Sequence, residues 1–211
     1  MAKKYIINQL GRSMIEMLGV LAIVGILSIG GISAFQKAMN KHKINQVTED
    51  LSQFINEVLL YSKDWLQYLS RYGGGNITTE IDFLVPAKWL RTGGYIYDSI
   101  GNKLMLNLRR DIGKPVLALD YILINRDEKA KLDLCMAYFN MAKSYSDRIF
   151  GGVIWRSDSD SNGSVSWFYG DGYCGRNKRC LKDLTLEEMR ERCSVFQNDD
   201  KGSNFSLFFL L

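Results

Sequence analysis

A chain of 211 residues that is 46% apolar, 24% charged and 12% aromatic can bury a core, so disordered and collagen-like architectures are excluded, and its length suits one medium domain with an attachment. Lys and Arg number 27 against 23 Asp and Glu, a formal charge of +4 with both signs scattered, so no nucleic-acid partner is expected. The single histidine, His42, leaves no material for a multi-His metal centre or for a His base in a folded head.

Residues 1–11, MAKKYIINQLG, form a short leader with Lys3 and Lys4. From Met17 to Gln36 twenty consecutive positions carry no charge, and at helical rise they span about 30 Å, a bilayer core. An ordinary secretory signal would be cut after that run, near Ser33 and Ala34. The run is long for such a signal, and neither Pro nor Gly interrupts the chain from Ile32 to Tyr72, so the pattern predicts a continuing helix that anchors. Glu16 stands one position from the apolar stretch, where an ionised carboxylate costs about 2–3 kcal/mol or more and calls for a cationic partner. Arg12, four residues earlier, offers one as an intrahelical ion pair.

The order of Gly11, Arg12, Glu16 and an unbroken apolar helix, in GRSMIEMLGVLAIVGILSIGGISAF, resembles the class III signal of type IV pilins and pseudopilins. The resemblance implies cleavage between Gly11 and Arg12 by a prepilin peptidase on the cytoplasmic side and N-methylation of the new first residue. It also implies contact between Glu16, the fifth mature residue, and the N-terminal amine of a neighbouring subunit. Phe35, the twenty-fourth mature residue, matches an aromatic that the family often carries there. Arg12 departs from the Phe or Met usual at the first position.

Beyond the membrane run, Ile44, Val47, Leu51, Phe54, Val58, Tyr61, Trp65 and Tyr68 recur at steps of three and four, with Ile55, Leu59, Leu66 and Leu69 widening the stripe. Such a face is expected to pack on the chain's own head rather than form a coiled-coil seam. From Arg12 to Tyr72 one helix would measure about 90 Å. Gly73, Gly74 and Gly75 end it. Strands are expected at Tyr95–Tyr97, Leu104–Leu108 and Val116–Asn125, turning at 99–102 and 111–114. A helix over Asp127–Lys143 and a hairpin of Val153–Arg156 and Val165–Tyr169 around Asn162-Gly163 follow, then a helix over Leu186–Cys193 and a last strand over Phe205–Leu211. The fold class read from this order is α+β, a long N-terminal helix, half of it membrane-spanning, packed on an antiparallel β-sheet head. Its parts are the leader 1–11, an apolar assembly half 12–36, an amphipathic half 37–72 and the head 73–211.

Cys135, Cys174, Cys180 and Cys193 all follow the apolar run, and an even count there reads as two disulfides in an oxidising compartment, with three pairings open. Zinc is the competing reading, disfavoured by the lack of a CxxC motif and of histidine nearby. The order of strand, helix with Cys135, helix with Cys193 and last strand resembles type IVb pilins, although the leader is shorter than is common there. That resemblance implies a Cys135–Cys193 bridge and leaves Cys174–Cys180 as a small loop. Asp158, Asp160 and Asn162 have the first, third and fifth spacing of a calcium loop with Gly163 at the sixth. Tyr169 stands where the closing Glu belongs and Asp171 is near, so the preferred reading is a solvated hairpin tip without a cofactor, with calcium the alternative. The basic run Arg176–Arg179 reads as a solvated loop tip, with surface adhesion or binding of an anionic partner the alternative.

The expected function is a structural, non-enzymatic subunit of a type IV-like pilus or a secretion pseudopilus. Its partners would be copies of itself and other pilins, prepilin peptidase, the inner-membrane assembly platform and, before assembly, membrane lipid. The precursor would sit in a bacterial inner membrane with its N-terminus cytoplasmic and its head periplasmic, and after assembly in a surface pilus or periplasmic pseudopilus. The rivals are a single-span envelope protein with a ligand- or surface-binding head, and an anchored hydrolase, for which no nucleophile, base and orienter assemble without histidine.

Overall fold

A computed structural model describes residues 9–111, 113–124, 128–155, 166–196 and 204–211. The chain divides into two compact units, Met1–His42 and Lys43–Leu211. Helix α1 runs over Gln9–Leu60 and is followed by α2, Ser62–Tyr72. The expected uninterrupted helix therefore breaks at Tyr61. The Val58 carbonyl accepts the Tyr61 N–H, three residues on, and also the Trp65 indole N–H at 2.8 Å. A buried side-chain donor thus occupies a carbonyl of the helical ladder, a recognised cause of kinks. Gly73, at φ +80°, closes α2 with its N–H on the Leu69 carbonyl.

The rest of the second unit is α+β. Strands β1 (Gly75–Asn76), β2 (Leu90–Thr92), β3 (Tyr95–Tyr97), β4 (Lys103–Asp111), β5 (Lys114–Ile122), β6 (Ile149–Trp155), β7 (Ser166–Tyr169) and β8 (Asn204–Leu210) form one eight-stranded sheet. Helices α3 (Glu128–Lys143) and α4 (Leu186–Cys193) are inserted between strands. All pairings are antiparallel, in the order β2-β3-β4-β5-β8-β6-β7 with β1 on β4. Each expected strand has a counterpart in this set: β4 runs longer than expected, and β5 starts two residues earlier than expected and ends at Ile122, short of the expected Asn125. The two-residue β1 and three-residue β2 carry too little pattern to be legible, and the expected hairpin tip at Asn162-Gly163 lies outside the described residues.

Strand β4 alternates in the manner of a half-buried strand: Leu104, Leu106 and Leu108 are buried between less buried neighbours. Central β5 and β8 are buried on both faces. On the helix-covered face, Leu117, Leu119, Tyr121, Phe205, Leu207 and Phe209 join the main core, which also contains Val47, Leu51, Phe54 and Val58 of α1. The opposite face carries a smaller cluster of Val116, Ala118, Phe150, Val153 and Phe208. It also carries a polar trio: Asp120 accepts from Asn107 at 2.9 Å and from Ser206, joining β4, β5 and β8. The 99–102 turn is held by buried Asp98, whose Oδ1 accepts the Ile100 and Asn102 N–H groups and whose Oδ2 accepts the Tyr121 hydroxyl at 2.5 Å. Burial and the Asp98 carboxylate push the Tyr121 hydroxyl pKa well above its ordinary value, so it stays a donor.

The chain leaves β7 through a close crossing at Gly170. A Cβ there would lie 1.8 Å from the Ile149 carbonyl oxygen and 2.6 Å from that of Ser146. Gly172, two residues on, faces open space. Gly170→Ala is accordingly expected to destabilise the second unit by about 2–4 kcal/mol, whereas Gly172→Ala leaves it within about 0.5 kcal/mol. Thermal unfolding of the detergent-solubilised chain distinguishes them, and equal midpoints would show that the crossing has room to spare.

Candidate functional site

In the first unit the distinctive feature is an apolar helix surface that is exposed among the described residues. Met14, Ile15, Met17, Leu18, Leu21, Ile26, Ile29 and Phe35 are all exposed. No atom outside the helix comes within 4 Å of a Cβ placed at Gly19, Gly25, Gly30 or Gly31, so these positions leave shallow notches on the surface. Small residues of this kind let helix backbones approach closely in lipid. Ser28 donates to the Val24 carbonyl at 2.7 Å, satisfying its hydroxyl within the helix. The helix is long and apolar enough to cross a membrane. Glu16 lies on it between Ile15 and Met17, which are 73% and 65% exposed. Gly11 and Arg12 fall in the first turns of α1, where the backbone alone is described.

Two disulfides close the head. Cys135 of α3 and Cys193 of α4 are bonded, with Cα atoms 5.7 Å apart and both residues buried. Lys143 of α3 also donates to the Leu184 carbonyl, just before α4. Cys174 and Cys180 close a loop with a sequence separation of 6. That loop is held against the sheet edge, since the Tyr169 N–H donates to the Arg179 carbonyl and the Leu181 N–H to the Tyr169 carbonyl, both at 2.8 Å. Arg179 pairs with Glu188 at 2.5 Å, and Thr185 and Glu188 form the capping box that starts α4. The Arg179 guanidinium, helped by the Thr185 backbone N–H and hydroxyl, lowers the Glu188 carboxyl pKa to about 2. Together with the apolar anchor, the disulfides point to a membrane-attached chain whose head is not cytoplasmic.

Asp158, Asp160 and Asn162 lie outside the described residues. Among the described residues no cluster of His, Cys, Asp or Glu is arranged to hold a metal. Trp167 stacks with Tyr169 and lies against Phe208 at 5.8 Å, a sheet-packing role. Sequence reasoning missed a groove between α1 and α3, lined by Asn45, Glu49, Gln53, Asn56, Glu57 and Asn140 among others. Its signal was present in the spacing. Positions 45, 49, 53, 56 and 60 share one face of α1, and 137, 140, 141 and 144 one face of α3. Ser52 and Tyr145 join the two segments through a hydroxyl contact of 2.8 Å.

The Cys135–Cys193 bridge closes a loop of sequence separation 58. In the chain-entropy account such a loop restrains the unfolded chain by about 4 kcal/mol, against about 2 kcal/mol for a loop as short as the other. Cys135→Ser should therefore lower the steady-state level and melting temperature of the chain more than Cys174→Ser does, read by immunoblot and thermal unfolding. The reverse order would place the stability of the head in the edge loop. No family model, no curated protein and no solved structure matches the chain.

Proposed function

We propose that the chain is a structural subunit of a type IV-like pilus or pseudopilus, made as an inner-membrane precursor, cut after Gly11 and polymerised through the first half of α1. The observation that carries the reading is the combination on one helix. A carboxylate, Glu16, adjoins a bilayer-length apolar surface that is exposed among the described residues, while the second half of the same helix contributes to the core. An anchor needs only apolar length, and a carboxylate at its edge adds cost with no benefit to anchoring.

Assembly supplies the benefit. Moving the helix from lipid into a bundle of like helices keeps its apolar surface dry, while Glu16 gains a cationic group, the free N-terminal amine of a neighbour. In this reading the head carries no catalytic residue, and its sheet and disulfides serve durability outside the cytoplasm. Prepilin peptidase and an inner-membrane assembly platform are the implied partners.

Mass spectrometry of the protein from its native cells should find a mature chain that starts at Arg12, and Gly11→Val should leave the precursor uncut, because close backbone approach by the peptidase tolerates no side chain there. A mature N-terminus near Ser33, or an uncut wild-type chain, would sink the reading. In a second experiment Glu16→Val is expected to insert in the membrane at least as well as wild type yet to enter filaments at a tenth or less of the wild-type level when both are co-expressed, a deficit of about 1.4 kcal/mol or more. Equal incorporation would leave Glu16 no more than an ion-pair partner of Arg12.

A further inference from the structure

Two surfaces of the second unit are opposite in charge. One is the groove between α1 and α3, with a cavity volume of about 790 Å³. Glu49 and Glu57 line it together with the amides of Gln53, Asn56 and Asn140, and no Lys or Arg is among its lining residues. Glu57 is held by the Gln53 amide at 3.2 Å, and Glu49 is exposed and forms no ion pair among the described residues. The other surface is the Cys174–Cys180 loop, which exposes Arg176 and Lys178. Arg179 and Lys182 are occupied by Glu188 and Asp171, whereas Arg176 meets no carboxylate among the described residues.

We propose that the basic Cys174–Cys180 loop of one copy docks in the acidic α1–α3 groove of the next. The inference deepens the assembly reading above and rests on it. The complementarity of charge names the occupant, because no cation lines the groove and the loop exposes Arg176 and Lys178 on a backbone closed by a disulfide. The disulfide, the paired Gly175 and Lys178 backbones and the Arg179–Glu188 ion pair hold the loop in one form, so little ordering cost attends its docking. Groove amides can donate to and accept from the main chain of the loop tip, which an apolar helix would leave unsatisfied. The two surfaces differ, so the contact is head-to-tail. Contacts of that kind continue from copy to copy when the rotation does not close a ring.

The test uses the full chain in its native membrane, expressed as an equal mixture of copies with ordinary and heavy nitrogen and treated with a carbodiimide, which joins carboxylates to amines directly. Peptide mass spectrometry should recover Glu49 or Glu57 bonded to Lys178, with mixed-isotope pairs among the products. Their yield should fall severalfold between about 0.1 M and about 1 M salt, as the Debye length drops from about 10 to about 3 Å. The variant E49K/E57K should lose the bond by roughly tenfold or more through like-charge opposition. Adding R176E/K178E should restore a bond between positions 49 or 57 and 178 with the chemical roles exchanged. Bonds confined to same-isotope pairs would overturn the docking. So would their absence from samples in which copies still associate in a Glu16-dependent way, and that outcome leaves the assembly reading standing. A wild-type chain that never associates would overturn both.

Discussion

The seam that α1 presents from Ile44 to Val58 organises the second unit. Phe54, fully buried, meets Trp89 edge-on at 5.5 Å, and Val47, Leu51 and Val58 extend the contact along the helix. A side chain of this size contributes about 1.5–3 kcal/mol when fully buried. The helix and the sheet share one core, and α3 packs on the same inner face: Tyr138 stacks on Tyr121 of β5, and Tyr138 and Phe139 meet Phe205 of β8. The interruption at Tyr61 belongs to the same arrangement, since the Trp65 indole that diverts the Val58 carbonyl is itself part of the core.

Two kinds of apolar surface thus occur on one helix, and they carry opposite consequences. The surface from Ile44 onward is satisfied within the chain, and substitutions there act through stability. That from Met14 to Phe35 is exposed among the described residues, and an apolar surface of this extent suits lipid or other protein. A carboxylate at the edge of such a surface shifts the balance toward an environment that contains a cation, which is the physical core of the assembly proposal.

The far end of the sheet is secured differently. Edge strand β7 is covered at Tyr169 by the chain around Cys180, and the short β2 at the opposite edge presents only three residues to a stray strand. One disulfide ties α3 to α4 within the main core, and the other closes the edge loop. The same bonds that protect the edge also hold its cations in place, so one small loop serves both stability and the recognition proposed for it.

The periodicities of the sequence determined the long helix, its division into an apolar and an amphipathic half, the α+β class, and the presence of α3, α4 and most strands, because spacings of three to four and of two report directly on which side chains share a face. The helix expected over Leu186–Cys193 stands there, and the structure adds its start signal, a capping box of Thr185 and Glu188. Neither the order of the strands nor the place of β8 between β5 and β6 was legible, because strand pairing at long separation leaves no local trace. The break at Tyr61 was hidden for the same reason: it arises from an indole hydrogen bond that the stripe of apolar positions does not encode. The polar residues of α1 and α3 line a common groove because the two segments lie side by side, joined by the Ser52–Tyr145 contact, a proximity that no local spacing encodes. Cysteine count implied two bridges, but which sulfurs meet is a matter of distance in space, and that distance is set by the packing of α3 against α4.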